Sequence, residues 1–283
     1  MASFTSKPTL VVGARGSVGR HVLEELIARG VPVRASARRP QPGQFPGGVD
    51  VYAADLTDPA SLVPAFDGVE QAFLYANHQG VQGVVKAVQS AGVRRIVLMS
   101  SGSVIHPTSA GNPITEEHRA VEQAFAAAPD LTVIPIRPLV LATNTLGWAY
   151  PIKAGGPLPL YQPDALTAPI HERDIAAVAV AALTGNDATT GLLTGPTRMT
   201  QRDQLAAIGA AIGKDVTVRA LTHDEALAQF SRFMPAGDAA AVVSFLDDAA
   251  AGNSPATGIV EQILGRPALT FDTWATDHAT DFA

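Results

Sequence analysis

Short apolar runs alternate with segments of helical periodicity along the first half of the chain. Thr9-Leu10-Val11-Val12 is an apolar run of strand length that leads directly into Gly13-Ala14-Arg15-Gly16-Ser17-Val18-Gly19. From Ser17 to about Arg29, Val18, Val22, Leu23, Leu26 and Ile27 recur on one helical face, and Gly30 stands where the helix would end. Further strands are predicted over Val31 to Ala37, Val51 to Ala54, Gln71 to Ala76, Arg95 to Met99 and Leu131 to Ile136. Helices are predicted over Pro59 to Phe66 and from Val81 through Val84, Val85 and Val88 to a stop at Gly92. Strands that alternate with helices in this way form a parallel sheet covered on both faces. The predicted fold class is therefore α/β, a Rossmann-type doubly wound sheet with a smaller C-terminal α/β lobe. In such a sheet the C-terminal strand ends open on one edge, where ligands bind. Gly13, Arg38, Asp55, Asn77, Ser100 and Arg137 all fall at such ends.

After Pro138 the pattern changes. Residues 139–170 are rich in Gly, Pro and aromatic side chains, including Trp148, Tyr150 and Tyr161. His171-Glu172-Arg173-Asp174 then leads into an Ala/Val helix to about Leu183, and Leu192-Leu193-Thr194-Gly195 resembles a short strand. Two regions are expected. Residues 1–138 form the dinucleotide-binding core, completed by elements from about 170–195, and residues 139–283 form mainly a substrate lobe.

Composition narrows the class. Of 283 residues, 47% are hydrophobic and 16% charged, enough apolar material for a sizeable core. The net charge of −6 argues against a general nucleic-acid surface. No apolar run approaches the length of a membrane span, and a strand beginning by Thr9 leaves no room for a signal peptide. A cytoplasmic protein, monomer or homodimer, is expected. With no cysteine, thiolate nucleophiles and thiolate metal sites are excluded, and the seven histidines show no zinc-type spacing. No metal site is expected.

The glycine loop carries the strongest chemical signal. Gly13 permits a tight turn out of the strand, Gly16 a close approach of backbone to a pyrophosphate, and Gly19 close packing of the helix on the sheet. The helix N-terminus behind Ser17 and Val18 offers N–H groups to phosphates. An NAD site usually has an acidic residue at the end of the second strand. Here that position reads Ser36-Ala37-Arg38-Arg39, and two guanidinium groups suit a ribose 2′-phosphate. Arg15 adds a third positive charge. NADPH is the expected cofactor, with solvated surface arginines as the alternative. Asp55-Leu56 is placed to contact adenine. Tyr75, Ala76, Asn77, Ser100, His118 and Pro138 complete the expected cofactor set.

These residues together resemble the NmrA-like branch of the atypical short-chain dehydrogenase/reductases. The resemblance rests on Val11-Val12-Gly13-Ala14 with Gly16 and Gly19, Val33-Arg34-Ala35 with Arg38, and Ala54-Asp55-Leu56 with Asp58-Pro59. It continues in Val97-Leu98-Met99-Ser100-Ser101, Glu122 with Ile136-Arg137-Pro138, Asp174-Ile175-Ala176, and Leu264-Gly265-Arg266-Pro267 with Phe271 and Trp274. Most reductases of the wider class use a Tyr with a Lys four residues on. Aligned on Glu122, those positions hold Ile114 and His118, so the pair is absent.

His118, Val121, Glu122 and Phe125 share one helical face. His118 is a candidate for contact with the nicotinamide ribose or for proton relay, with Glu122 to orient it. A structural His–Glu pair is the alternative. Ser101 matches the position where related reductases bond the substrate oxygen, and His78 is a candidate proton donor. Asn144, Trp148, Tyr150 and Tyr161 are candidate walls of the substrate pocket. The resemblance implies an NADPH-dependent oxidoreductase acting on a quinone or another conjugated, aromatic ketone-like acceptor. A non-catalytic NADP(H)-binding redox sensor acting through protein contacts, and another Rossmann activity such as an isomerase, stand beside it.

Overall fold

A computed structural model of the protein describes residues 7–186 and 191–283. In chain order the first elements are β1 (Thr9–Val11), α1 (Gly19–Ala28), β2 (Val33–Ala37), β3 (Asp50–Ala53), α2 (Pro59–Phe66), β4 (Gln71–Tyr75), α3 (Val81–Ser90), β5 (Arg95–Met99), α4 (Pro113–Ala126) and β6 (Thr132–Pro138). Then come α5 (Ala149–Lys153), β7 (Leu158–Leu160), β8 (Leu166–Thr167), α6 (Glu172–Leu183), β9 (Leu192–Leu193), β10 (Met199–Thr200) and α7 (Gln201–Ile212). The chain ends with β11 (Val218–Ala220), α8 (His223–Phe230), α9 (Ala236–Ala250), α10 (Ile259–Leu264), α11 (Phe271–Asp277) and α12 (Ala279–Phe282).

The chain divides into two compact units. The first takes the residues up to Ser101, Glu117–Arg137 and Glu172–Gly191. Its strands lie in the order β3-β2-β1-β4-β5-β6, and every pairing among them is parallel. Parallel neighbours need long crossovers, and the helices between the strands supply them. The strands read as apolar runs because both faces are covered. Leu10, Val11, Phe73, Ile96, Val97 and Leu98 are all fully buried. One face carries Leu62, Phe66, Val84 and Val88 from α2 and α3 with Val121 and Phe125 from α4. The Ala- and Val-rich α6 is buried on nearly every side and packs on α1, β4 and β5.

This is the expected doubly wound arrangement, with small differences at element ends. α1 begins at Gly19 rather than Ser17, because the loop continues through Val18. β2 begins at Val33. Val31 and Pro32 connect it to α1, and the Pro32 carbonyl accepts from Thr9 N–H.

The second unit comprises Gly102–Glu116, Pro138–His171 and Leu192–Ala283. It holds an antiparallel pair, β8 with β10, and a parallel pair, β7 with β11. Its core is built on Trp274, which stacks on Phe271 and His278 at centroid distances of 5.1 and 4.4 Å. Thr200 and Thr222 close capping boxes on α7 and α8, with Asp203 and Glu225 as partners. Among the described residues no helix is long and apolar enough to cross a membrane.

Candidate dinucleotide and acceptor sites

The chain enters the sheet at its centre with β1, moves outward to β3, then returns to the other side of β1 with β4. The crevice between the C-terminal ends of β1 and β4 is the topological switch point, where open α/β sheets bind ligands. A groove of about 890 Å³ lies there. It gathers Gly13, Arg15 and Gly16 after β1, Arg38 and Arg39 after β2, Asp55 and Leu56 after β3, and Tyr75 and Asn77 at the end of β4. Val12, Ala37, Ala54 and Thr57 also line it and were not among the expected cofactor residues. Each is a chain neighbour of a strand-end residue that was, so the strand ends themselves were the available signal.

The glycines are explained by what a side chain would meet. Gly13 is left-handed, with φ +70°, and a Cβ there would lie 2.9 Å from the Tyr75 ring. A Cβ on Gly16 would lie 2.7 Å from the Tyr75 hydroxyl, and one on Gly19 would drive into the Gly13 carbonyl oxygen. Close helix packing at Gly19 was expected. At Gly16 the missing side chain makes room for the Tyr75 phenol, and the residue itself lines the groove. Tyr75 Oη accepts a hydrogen bond from Gly19 N–H at 2.8 Å, so this amide at the start of α1 already has a partner. Burial pushes the Tyr75 hydroxyl's pKa up from its usual value.

Charge in the groove is mixed. Arg15, Arg38 and Arg39 are exposed at its walls. Asp55 Oδ1 accepts from the N–H and the hydroxyl of Thr57, both at 2.9 Å. Those bonds, with the charge of Arg38, hold the carboxyl below its ordinary value. Asn77 Oδ1 accepts from Gln79 N–H at 2.9 Å and shapes the turn after β4.

Other expected cofactor residues do not line this groove. Ser17 is half-buried in the loop and Val18 is buried beneath it. Ala76 packs on the core. Pro138 is buried at the end of β6. Ser100 is buried and its hydroxyl donates to Glu122 Oε1 at 2.6 Å. Arg137 grips the same carboxylate with Nε on Oε1 at 2.9 Å and Nη2 on Oε2 at 2.6 Å. Glu122 therefore fixes Ser100 and Arg137 rather than orienting His118, a correction to the expected His–Glu pair. The physical reason is competition: a planar guanidinium takes both carboxylate oxygens in a bidentate fork.

His118 has Nδ1 buried with no hydrogen-bond partner. Burial lowers its pKa below the ordinary 6.5, against the opposing pull of Glu122 and Glu117. His78 pairs with Glu117 through Nδ1 at 3.1 Å, and its charge also acts on His118. Glu117 was not singled out from the sequence, although it directly precedes His118. Ser101 follows Ser100 and is partly exposed.

The second unit has its own pocket of about 200 Å³. It brings together Asn144, Trp148 and Tyr161 of the expected substrate walls, with Gln201, Phe230 and Leu246. Tyr150 is not among them. It projects from α5 and is 84% exposed. The Tyr161 hydroxyl donates to Asp247 at 2.6 Å, which fixes the ring.

The sequence profile of the NAD(P)H-binding family matches residues 13–186. A (4-alkanoyl-5-oxo-2,5-dihydrofuran-3-yl)methyl phosphate reductase of Streptomyces griseus is 34% identical, over 97% of this chain and 99% of its own. An NAD(P)H azoreductase of Xenophilus azovorans is 30% identical, over 96% and 98%. The fold is shared with the crystal structure of an NADPH-dependent quinone oxidoreductase from Escherichia coli, at a TM-score of 0.76 and 24% identity over 95% of this chain and 98% of that one. With these matches, this chain belongs to the NAD(P)H-binding family and is an NAD(P)H-dependent reductase.

Proposed function

We propose that the protein uses NADPH to reduce a quinone or another conjugated, aromatic ketone-like acceptor, without a Tyr–Lys catalytic pair. The observation that carries the cofactor half is the gathering of Arg15, Arg38 and Arg39 at one groove. The cradle fits a dinucleotide: Gly13 and Gly19 admit the tight loop, and the groove has room for adenosine and diphosphate. Arg38 and Arg39 would hold a 2′-phosphate, with Arg15 adding charge, and Leu56 and Asp55 would face the adenine. Bound there, the nicotinamide supplies a hydride.

The acceptor half follows from what the chain lacks at Ile114. A plain ketone needs a strong acid beside its oxygen, because hydride addition leaves a localised alkoxide. A conjugated acceptor spreads that charge, so water or one imidazole suffices as proton source. In this reading His118, held neutral by burial, relays that proton, and the exposed His78–Glu117 pair draws it from solvent. Ser101 offers a hydroxyl to the acceptor oxygen. The names of the two relatives fit the same acceptor chemistry: one reduces an alkanoyl dihydrofuranone and the other an azo compound. The second unit's pocket, with Trp148 and Phe230 on its walls and Asn144 and Gln201 as polar points, suits a flat apolar ligand.

The test is NADPH oxidation followed by absorbance with a panel of quinones, conjugated enones and plain ketones. Turnover is expected with the conjugated members and not with plain ketones. Binding without turnover on any acceptor would sink the reading in favour of a redox sensor. In the same assay Arg38→Ala should weaken NADPH binding roughly tenfold or more while leaving NADH nearly unchanged, the size of a charge-assisted contact. Equal loss for both would remove Arg38 from 2′-phosphate recognition.

A further inference from the structure

The Tyr75 hydroxyl stands at the positive end of α1. Its oxygen accepts the Gly19 N–H at 2.8 Å, and no acceptor among the described residues takes its hydrogen. The ring is held in place: it lies against Gly13 and Gly16 and meets Phe73 edge-to-face, with centroids 5.3 Å apart. Tyr75 also lines the groove that collects Arg15, Arg38 and Arg39. In the usual arrangement a phosphate takes helix N-terminal amides directly. Here the Gly19 amide, with the Val18 amide beside it, is spent on a phenol. A hydroxyl that accepts from a helix N-terminus is polarised toward donating its own hydrogen. Burial keeps this phenol neutral, so the hydrogen is retained at physiological pH.

We propose that Tyr75 is a diphosphate ligand, whose O–H donates to the dinucleotide's diphosphate bridge and relays the positive end of α1 to it. The proposal rests on the dinucleotide reading of the groove and adds to it how the anion is held. It also accounts for two of the three loop glycines. Gly13 and Gly16 are bare because a phenol must lie against them to reach Gly19. The hydroxyl thus joins residues 56 positions apart in the chain.

Calorimetric titration of the native protein and Tyr75→Phe with two ligands tests this. NADPH carries the diphosphate. Adenosine 2′-monophosphate carries the ribose-side phosphate and has no phosphate at the 5′ position. Tyr75→Phe should bind NADPH roughly 10- to 100-fold more weakly, the range of a hydrogen bond to a charged group, with adenosine 2′-monophosphate unchanged. Equal weakening of both ligands would mean that the hydroxyl only shapes the loop, and would overturn the relay. Unchanged or tighter NADPH binding would also overturn it, the hydroxyl then being a plug that the cofactor displaces. If the native protein binds neither NADPH nor NADH, the dinucleotide reading itself falls. Should Tyr75→Phe fail to fold, Gly16→Ala replaces it. Its Cβ would lie 2.7 Å from the hydroxyl and push the phenol aside. The same split between the two ligands is expected, and equal or absent effects overturn the proposal.

Discussion

His118 carries an imidazole whose Nδ1 is buried without a hydrogen-bond partner, and burial holds its pKa below 6.5. The folded state therefore favours the neutral ring. The linkage has a definite sign. The stabilising preference is fully present above pH 6.5, where both folded and unfolded chains are neutral at this group. It is lost as pH falls through the depressed folded value, because the unfolded chain binds the proton first. Urea unfolding of the native protein and His118→Asn at pH 7.5 and pH 5 should show the native protein losing more stability over that interval. A parallel loss in both would mean that protonation of His118 is not opposed by the fold. The sequence placed His118 on the buried face of its helix through Val121 and Phe125, and that placement was legible from spacing alone. Glu122 was legible as a neighbour but not as a partner. Whether it turned to His118 or to Arg137 depended on where β6 brings a guanidinium. Tyr75 was legible as a strand-end residue, whereas its hydrogen bond to Gly19 depends on a ring direction that no local pattern encodes.

At the level of elements, the parallel strands and the helices α1, α2, α3 and α6 follow the apolar pattern to within a few residues. They are long enough for periodicity to register. The second unit is harder to read because β8, β9 and β10 are two residues each, too short for alternation to mark a face. Its helix starts did carry a readable signal. Thr200-x-x-Asp203 and Thr222-x-x-Glu225 have the spacing of capping boxes. In α8, Thr222 Oγ accepts from Glu225 N–H at 3.3 Å and Glu225 accepts from Thr222 N–H at 2.9 Å. Thr222→Ala should cost about 1 kcal/mol, and Thr222→Ser much less, as measured by denaturant midpoint. Equal losses for Ala and Ser would assign the effect to the lost methyl rather than to the cap.

On the scale of the whole molecule, chain order and spatial order diverge. α6 begins at Glu172, yet it belongs to the first unit and covers α1, which ends at Ala28. A chain cut after Pro138 retains β1 to β6 and lacks that cover. It should bind a hydrophobic dye or elute as an aggregate on size exclusion, and a monodisperse, dye-silent fragment would show that α6 is dispensable. The same burial sets a timetable for the growing polypeptide. At ordinary elongation rates the ribosome takes roughly 2 to 9 s to pass from residue 138 to residue 183. Throughout that interval the six strands have been made while the apolar face of α1, with Val22, Leu23 and Leu26, still awaits α6. Those seconds fall after the residues of the switch-point groove have been synthesised and before the helix that covers α1 exists.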